Sequence, residues 1–166
     1  TLLLKVAKDV LGHDVLAVTA VSEITPRHER EDAVCFAGEL NARLILLESH
    51  ELDISEFVKN PEDRCYICKK NRFGAMLELA REKGFPYLAD GENLDDQSDY
   101  RPGSRAAREL SVRSPLREAG MTKSEIRSIS KRLNLPTYDK PAYACLASRI
   151  PYHSSITAEK LRQVEE

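Results

Sequence analysis

The sequence has no apolar run as long as a membrane helix needs, and no signal peptide is visible in it. With a formal net charge of −2 it lacks the basic excess that attracts nucleic acid or an anionic membrane. It has no internal repeat and no low-complexity segment. Its four cysteines are unevenly spaced, which argues against a disulfide scaffold. These absences predict a cytoplasmic globular protein with reduced thiols.

Helix-like and strand-like patterns alternate along the first half of the chain. Helices are predicted over 1–11, 27–41 and 69–83, and strands over 14–21, 43–48 and 86–90. This order, with short connections, favours an α/β fold with a doubly wound parallel sheet. Ligands of such sheets lie beyond the carboxyl ends of the strands, which here precede Ser22, Ser49 and Gly91.

The second half begins with a polar stretch, residues 91–103, which is too long for a simple connection. Its acidic residues make it a candidate for ribose, base or magnesium contacts, and the alternative is a solvated surface loop. Further on, Thr122 and Glu125 have the spacing of a capping box, which predicts a helix through Leu133. Two more helices are predicted over 104–110 and 157–166.

A Cys-x-x-Cys pair is formed by Cys65 and Cys68, with Arg64 before it and Lys69 after it. Redox dithiols, zinc sites and iron–sulfur sites all use this spacing. The positive neighbours favour the thiolate, which is the reactive and metal-binding form of cysteine. The pair is therefore a candidate site, and its spacing alone leaves the kind of chemistry open.

A third cysteine, Cys145, lies in a segment bounded by Pro141 and Pro151. Each proline restricts the residue before it to extended conformations, so we expect a shaped loop with at most a short helical turn. Ser148 and Arg149 follow the cysteine. A guanidinium binds phosphate or carboxylate in bidentate fashion. Arg149 is thus either an anion-binding residue or part of a surface salt bridge.

We expect Cys65, Cys68 and Cys145 to meet in space and to carry the chemistry. Three thiolates are enough to hold a four-iron cluster with one iron open, which suits sulfur delivery. With His153 they would instead complete a closed zinc site. A third alternative is three unligated neighbouring thiols. Cys35, by contrast, lies on the apolar face of a predicted helix, so we interpret it as a core residue.

Five segments of the chain carry a family resemblance. They are 65–69 (Cys-Tyr-Ile-Cys-Lys), 91–96 (Gly-Glu-Asn-Leu-Asp-Asp), 99–103 (Asp-Tyr-Arg-Pro-Gly), 114–119 (Ser-Pro-Leu-Arg-Glu-Ala) and 140–152, which contains Cys145. In this order they resemble LarE, the family of ATP-dependent sulfur transferases of nickel-pincer nucleotide synthesis, within the PP-loop ATP pyrophosphatase superfamily. The resemblance covers nearly the whole chain, and segment 140–152 is its most specific motif.

The resemblance implies an adenine nucleotide α-hydrolase-like (PP-loop) domain over 1–166 and a two-stage reaction. ATP with magnesium adenylates a carboxylate of a pyridinium dicarboxylate mononucleotide, and a sulfur nucleophile then displaces AMP to give a thiocarboxylate. In single-cysteine members the cysteine that matches Cys145 gives up its sulfur and becomes dehydroalanine. Members with three cysteines hold a 4Fe-4S cluster, so the resemblance implies that Cys65, Cys68 and Cys145 are its catalytic ligands.

The remaining site candidates divide into two groups. The candidate nucleotide contacts are Ser22, Gly91, Asn93 and Asp96, and the candidate contacts to the substrate's phosphate or carboxylate are Ser148, Arg149 and Arg101. The implied substrate is a small-molecule nucleotide, and the resemblance also suggests a homo-oligomer. We expect neither a membrane nor a nucleic-acid partner.

Two features of the family are not found in the chain. The phosphate loop Ser-Gly-Gly-x-Asp-Ser would precede the helix that starts at Thr1, and it would bind the pyrophosphate end of ATP. A smaller second domain would follow Glu166, with its start near 157–166. Both ends therefore look cut. We expect a polypeptide of these residues alone to be unable to hydrolyse ATP.

Three other functions compete with sulfur transfer to a small molecule. A tRNA thiolation enzyme of the same superfamily would show a basic stripe or an added zinc ribbon, and neither is visible. A zinc-stabilised binding module without catalysis would contain zinc but no iron. An amidating PP-loop ligase would leave the three cysteines without a task.

Overall fold

The computed structural model describes residues 1–97 and 102–166 of the chain. The helices of this part are α1 (Leu2–Leu11), α2 (Arg27–Glu39), α3 (Ser55–Val58), α4 (Arg64–Glu82), α5 (Pro102–Glu109), α6 (Pro115–Glu118), α7 (Lys123–Arg132) and α8 (Ala158–Glu165). Its strands are β1 (Ala17–Val21) and β2 (Leu44–Glu48), and 3₁₀ turns span Glu51–Asp53, Leu94–Gln97 and Leu146–Arg149. None of these helices combines the length and the apolar character that membrane crossing requires.

The two strands pair in parallel, and the register runs from Ala17 opposite Leu44 to Val21 opposite Glu48. Helix α2 connects them, as a crossover between parallel strands requires. The mixed α/β character and the parallel pairing are therefore confirmed. Within the described ranges the sheet has two strands.

The strand predicted over 86–90 is wrong. Only Ala89 pairs, through an isolated parallel bridge to Arg113. The nitrogen of Asp90 donates to the carbonyl of Arg113 at 2.8 Å, and the nitrogen of Arg113 donates to Leu88 at 2.9 Å. The segment that contains Arg113 enters α6 directly after Ser114, so no further residues are available to continue the pairing. A β-like composition does not make a strand where the neighbouring segment is this short.

The predicted helices are present, but the start of one helix and the buried face of another differ from the predictions. Helix α4 begins at Arg64 rather than at residue 69, so it contains both cysteines of the Cys-x-x-Cys pair. On α2 the buried residues are Phe36 and Ala37. Cys35 is exposed, and our interpretation of it as a core residue is wrong. Because successive helical residues are about 100° apart, Cys35 lies about 150° from the face that is centred between Phe36 and Ala37.

Two apolar clusters form the core. One cluster is built on Leu2, Phe36 and Leu135, and it holds α1, α2 and the end of α7 together. The members of the other come from the segments after β1 and β2 and from the last third of the chain: Ile24, Phe57, Leu146, Ala147, Ile150, Ile156 and Leu161. This second cluster underlies the segment that follows Cys145, so the cysteine loop rests on a packed base.

The capping box of α7 is confirmed. The Thr122 hydroxyl accepts a hydrogen bond from the Glu125 nitrogen, and the Glu125 carboxylate accepts one from the Thr122 nitrogen. The Thr122 hydroxyl also donates to the Glu125 carboxylate at 2.7 Å, and this bond, together with the bond from the Thr122 nitrogen, holds the pKa of Glu125 below its ordinary value of 4.5. The capping box satisfies backbone donors that a helix start would otherwise leave unpaired.

Replacement of Thr122 by alanine is expected to lower the free energy of unfolding by about 1 kcal/mol, because the start of α7 loses its cap. Urea denaturation would measure the change. Ser124→Ala is the matched control, since Ser124 is an exposed residue in the same first turn. Equal losses in the two variants would contradict a specific role for the cap.

Candidate active site

The three predicted site cysteines lie at the starts of two local structures. Cys65 and Cys68 are in the first turns of α4, where a spacing of three residues places them on one face. Cys145 directly precedes the 3₁₀ turn Leu146–Arg149, and residues 141–145 have no regular structure. The predicted loop with a short helical turn is therefore confirmed.

The structure brings these three thiols into one neighbourhood. Cys68 and Cys145 are half-buried and pack against the same apolar cluster. Burial raises the pKa of the Cys68 thiol from 9.0 to about 12, against the opposing charge of Arg72, and the charges of Glu51, Cys145 and Cys65 raise it further. Cys65 precedes Cys68 by three residues on the same face of α4. Cys65 is the exposed member of the set.

The thiols suit a metal cluster in number and in chemistry, because three thiolates can ligate three irons of a 4Fe-4S cluster. Across residues 1–97 and 102–166, however, no group of three His, Cys, Asp or Glu side chains is arranged to hold a metal ion. His153, the candidate fourth zinc ligand, is exposed, and its backbone nitrogen donates to the Asn60 carbonyl at 2.9 Å.

A buried ion pair lies beside the thiols, and sequence analysis missed it. The Glu51 side chain is fully buried, and the Arg72 Nε donates to its Oε1 at 2.6 Å. The Cys68 Sγ lies 3.9 Å from the same oxygen. Burial opposes ionisation of Glu51, but the hydrogen bond from Arg72 prevails and holds the pKa of Glu51 below its ordinary value of 4.5. The available signal was the spacing of Arg72, four residues after Cys68 on one helix face.

A second buried group holds the chain after Cys145. The Asn60 side chain, also fully buried, donates through Nδ2 to the carbonyls of Pro151 at 2.7 Å, Ser154 at 3.0 Å and Ile150 at 3.3 Å. Its Oδ1 accepts from the Arg64 guanidinium. Through Asn60, Arg64 therefore connects the start of α4 to the end of the cysteine loop. This role of Arg64, which precedes Cys65, is structural.

The near end of the loop is held by charge. The Lys140 Nζ lies 2.7 Å from Asp32 and 2.8 Å from Glu29, both on α2. The ring of Tyr143 meets the ring of His28 edge-on, with centroids 4.7 Å apart. Cys145 is thus presented by a short segment that is fixed on both sides.

A cavity of about 390 Å³ opens at the carboxyl ends of β1 and β2, where sequence analysis expects a ligand. It is lined by Val21, Ser22, Glu23, Thr25, Arg27, Arg30, Glu48, Ser49, His50 and Glu165. Ser22 is therefore the predicted nucleotide contact that lines it. The lining carries hydroxyls and charges of both signs, which is suited to a polar ligand.

The other predicted nucleotide contacts lie elsewhere. Gly91, Asn93 and Asp96 belong to the segment after the isolated bridge, outside the lining of the cavity. The Asn93 nitrogen donates to an Asp96 carboxylate oxygen at 3.0 Å, which makes a compact turn. The buried residue of this turn is Glu92. Its carboxylate accepts a hydrogen bond from Arg117 at 2.8 Å and another from the Ser104 hydroxyl. Sequence analysis did not single out Glu92.

Of the three predicted substrate contacts, Ser148 and Arg149 each donate a hydrogen bond to a backbone carbonyl. The Ser148 hydroxyl donates to the Cys145 carbonyl at 2.6 Å and so closes the turn after the cysteine. The Arg149 guanidinium donates to the Val164 carbonyl at 2.9 Å, near the end of α8. Both side chains are exposed. Arg101 lies outside the described residues.

Comparison with known proteins gives relatives of similar sequence, although no protein-family model matches the chain. An uncharacterized protein of Synechocystis is 46% identical over 99% of this chain and 61% of its own length. The pyridinium-3,5-bisthiocarboxylic acid mononucleotide synthase of Lactiplantibacillus plantarum is 35% identical over 99% of this chain and 60% of its own length. An uncharacterized protein of Methanocaldococcus jannaschii is 32% identical over 76% of this chain and 50% of its own length.

The chain thus spans less than two thirds of the length of each of these relatives. The match to the synthase nevertheless covers all the segments that carry the resemblance, including 65–69 and 140–152, since it extends over 99% of the chain. The resemblance that the motifs indicated is confirmed, and the chain is similar in sequence to this synthase along nearly its whole length.

Proposed function

We propose that this chain is the thiol-bearing part of an ATP-dependent sulfur transferase that converts a carboxylate of a pyridinium dicarboxylate mononucleotide into a thiocarboxylate. The observation that carries the proposal is the similarity to a synthase of a pyridinium bisthiocarboxylic acid mononucleotide, together with three thiols in one neighbourhood. The cavity lies at the carboxyl ends of two parallel strands, where ligands of such sheets bind, and its lining includes hydroxyl and charged groups that can contact a nucleotide. On this proposal the domain has the PP-loop fold, is cytoplasmic and assembles as a homo-oligomer.

Adenylation exchanges the poor leaving group of a carboxylate for AMP. A thiolate sulfur can then attack the acyl carbon, forming a C–S bond while the C–O bond to the phosphate breaks and its electron pair leaves on AMP. Cys145 is the proposed sulfur donor, because it lies in a loop that is held at both ends and packs against the same apolar cluster as Cys68. Loss of a proton from its Cα, with cleavage of its Cβ–S bond, would release the thiocarboxylate and leave dehydroalanine.

A 4Fe-4S cluster is the proposed alternative to this sacrifice, with Cys65, Cys68 and Cys145 as its ligands. When bound, such a cluster supplies an open iron that can hold a renewable sulfide. The protein's own contribution is the three thiols and the guanidinium of Arg72. Since the pKa of Cys68 is about 12, binding of a metal would have to displace a thiol proton there.

The other site candidates remain part of the proposal. Ser22 is proposed to contact ATP with magnesium in the cavity, and the turn of Gly91, Asn93 and Asp96 to contact another part of the nucleotide. The proposed contacts to the anionic groups of the substrate are Ser148, Arg149 and Arg101.

The decisive test is sulfur transfer by the intact protein with ATP and the dicarboxylate mononucleotide, followed by mass spectrometry. Replacement of Cys145 by alanine is expected to lower thiocarboxylate formation by at least about a hundredfold, because the nucleophile is lost. Cys35→Ala, a change at an exposed cysteine on α2, is the matched control and should keep full activity. An active Cys145→Ala variant would contradict the proposed role of Cys145.

Iron and acid-labile sulfide in anaerobically prepared protein separate the two sulfur sources. About four irons per chain, lost in Cys145→Ala and kept in Cys35→Ala, would support the cluster. Dehydroalanine at position 145 after turnover, without iron, would support sacrifice. Zinc without iron, and without thiocarboxylate formation, would favour a structural module instead.

A further inference from the structure

Arg72 stands between the strand-end cavity and the thiols. Its terminal nitrogen donates to the Ser22 Oγ at 3.0 Å and to the Thr25 Oγ1 at 3.3 Å, and both hydroxyls belong to residues that line the cavity. Its Nε donates to the Glu51 Oε1, and the Cys68 Sγ lies 3.9 Å from that same oxygen. One cation therefore reaches both regions that the proposed reaction must connect.

The guanidinium is fixed in this position before any ligand arrives. Its Nε is bonded to Glu51, whose side chain is fully buried, and the side chain of Arg72 is itself only 20% exposed. A guanidinium is planar, so fixing one edge also fixes the direction of the other. The edge that faces Ser22 and Thr25 is thus pre-oriented toward the cavity wall.

The present partners of that edge are weak. Neutral hydroxyls accept hydrogen bonds less strongly than anionic oxygens do, roughly by a factor of two. The charges that line the cavity do not supply a clear anion site either, because Arg27 and Arg30 are accompanied by three glutamates, Glu23, Glu48 and Glu165. An anionic oxygen near Ser22 would therefore gain most from Arg72, where low exposure limits screening by water.

We propose that Arg72 is a substrate-binding residue that holds the phosphate of the adenylated substrate at the Ser22–Thr25 side of the cavity and turns its acyl carbon toward the thiols. The inference rests on the proposed function, which it extends by naming the residue that joins nucleotide binding to sulfur transfer. In the transfer step the electron pair of the broken C–O bond leaves on this phosphate. The positive charge of Arg72 then stabilises the negative charge that develops on the phosphate of AMP.

The test compares binding of AMP and of adenosine to the intact protein by calorimetry, because the two probes differ only in the phosphate. Glu51→Gln serves as the background, so that removal of Arg72 does not strand a buried carboxylate. Relative to this background, Glu51→Gln/Arg72→Gln is expected to bind adenosine equally and AMP about tenfold or more weakly, as loss of a charge-assisted bond implies. Glu51→Gln/Arg72→Lys should recover part of the loss, since it keeps the charge.

Arg30→Gln is the matched comparison, because Arg30 is an exposed cation that lines the same cavity. It is expected to weaken AMP binding by no more than about twofold. Loss of the phosphate preference in Arg30→Gln but not in the Arg72 variants would overturn the inference. Equal weakening of AMP and adenosine would also overturn it, since that pattern indicates a structural role. Failure of the unaltered protein to bind either probe would instead overturn the proposed nucleotide site, and this inference with it.

Discussion

Replacement of Asn60 by alanine is expected to lower the free energy of unfolding by about 3–6 kcal/mol. The buried amide donates to three carbonyls of the chain after Cys145, and its oxygen accepts from Arg64. Each buried group left without a partner costs about 1–3 kcal/mol. Because domains of this kind have a total stability of about 5–15 kcal/mol, the loss would remove a large part of it. Chemical denaturation would measure it.

Two other asparagines provide matched controls. Asn60, Asn41 and Asn134 have positive φ values of 56°, 48° and 54°, so alanine is strained at all three positions. Asn41 and Asn134 are exposed, whereas Asn60 is fully buried. We expect Asn41→Ala and Asn134→Ala to lose only the strain term, about 1–2 kcal/mol. A loss at Asn60 no larger than theirs would show that the buried amide contributes little.

Hydrogen exchange would locate the effect within the molecule. The amide of His153 is bonded to the Asn60 carbonyl and that of Ile156 to the Val58 carbonyl, both at 2.9 Å. These amides tie the end of the cysteine loop to the end of α3 and to the connection between α3 and α4. In Asn60→Ala they should exchange faster than the amides of α7, because local release precedes global unfolding. Uniform acceleration over the whole chain would argue against a local anchor.

The parts of the fold that the sequence predicted well depend on local rules. Thr122 and Glu125 are three residues apart, and Pro141 and Pro151 act on their direct neighbours, so the cap and the loop can be predicted without knowledge of the tertiary structure. The helices α1, α2, α7 and α8 follow from apolar spacing in the same way.

The parts that the sequence predicted poorly depend on distant partners. Residues 86–90 have the composition of a strand, but the segment around Arg113 offers a single pairing position. In the sequence, Asn60 and Glu51 each look like ordinary polar residues of a connection between predicted elements. Their importance comes from contacts with Pro151 and Arg72, which are 91 and 21 positions away. No local pattern reports such pairs.

The candidate site shows the same division. The three cysteines could be grouped from residue type and from the family resemblance. The structure packs Cys68 and Cys145 against one apolar cluster and places Cys65 one turn before Cys68 on α4. The cation that organises this neighbourhood, Arg72, was missed because its role depends on Glu51, Ser22 and Thr25. Those partners lie in separate segments of the chain, which only the fold brings together.

Loss of Arg72 without a change at Glu51 is therefore expected to be severely destabilising. In Arg72→Met the Glu51 carboxylate would remain buried without its cation, and its Oε2 already has no hydrogen-bond partner among the described residues. Stranding one member of a buried pair costs about 3–5 kcal/mol. The double variant Glu51→Gln/Arg72→Met should regain most of this loss, because the buried charge is removed together with its partner. Denaturation of the single and double variants measures the coupling directly.

The pH dependence of stability gives an independent check on the same pair. Because the pKa of Glu51 is held below 4.5 in the folded protein, its ionised form contributes stability above that pH, and the contribution is lost as the pH falls through the lowered value. Glu51→Gln should lack this acid-sensitive component. Lys70→Met, at an exposed ion pair on the same helix, should lower the stability far less than Arg72→Met does, because water and salt screen an exposed pair. If Arg72→Met were as mild as Lys70→Met, the Glu51–Arg72 pair would contribute little to the stability of the fold.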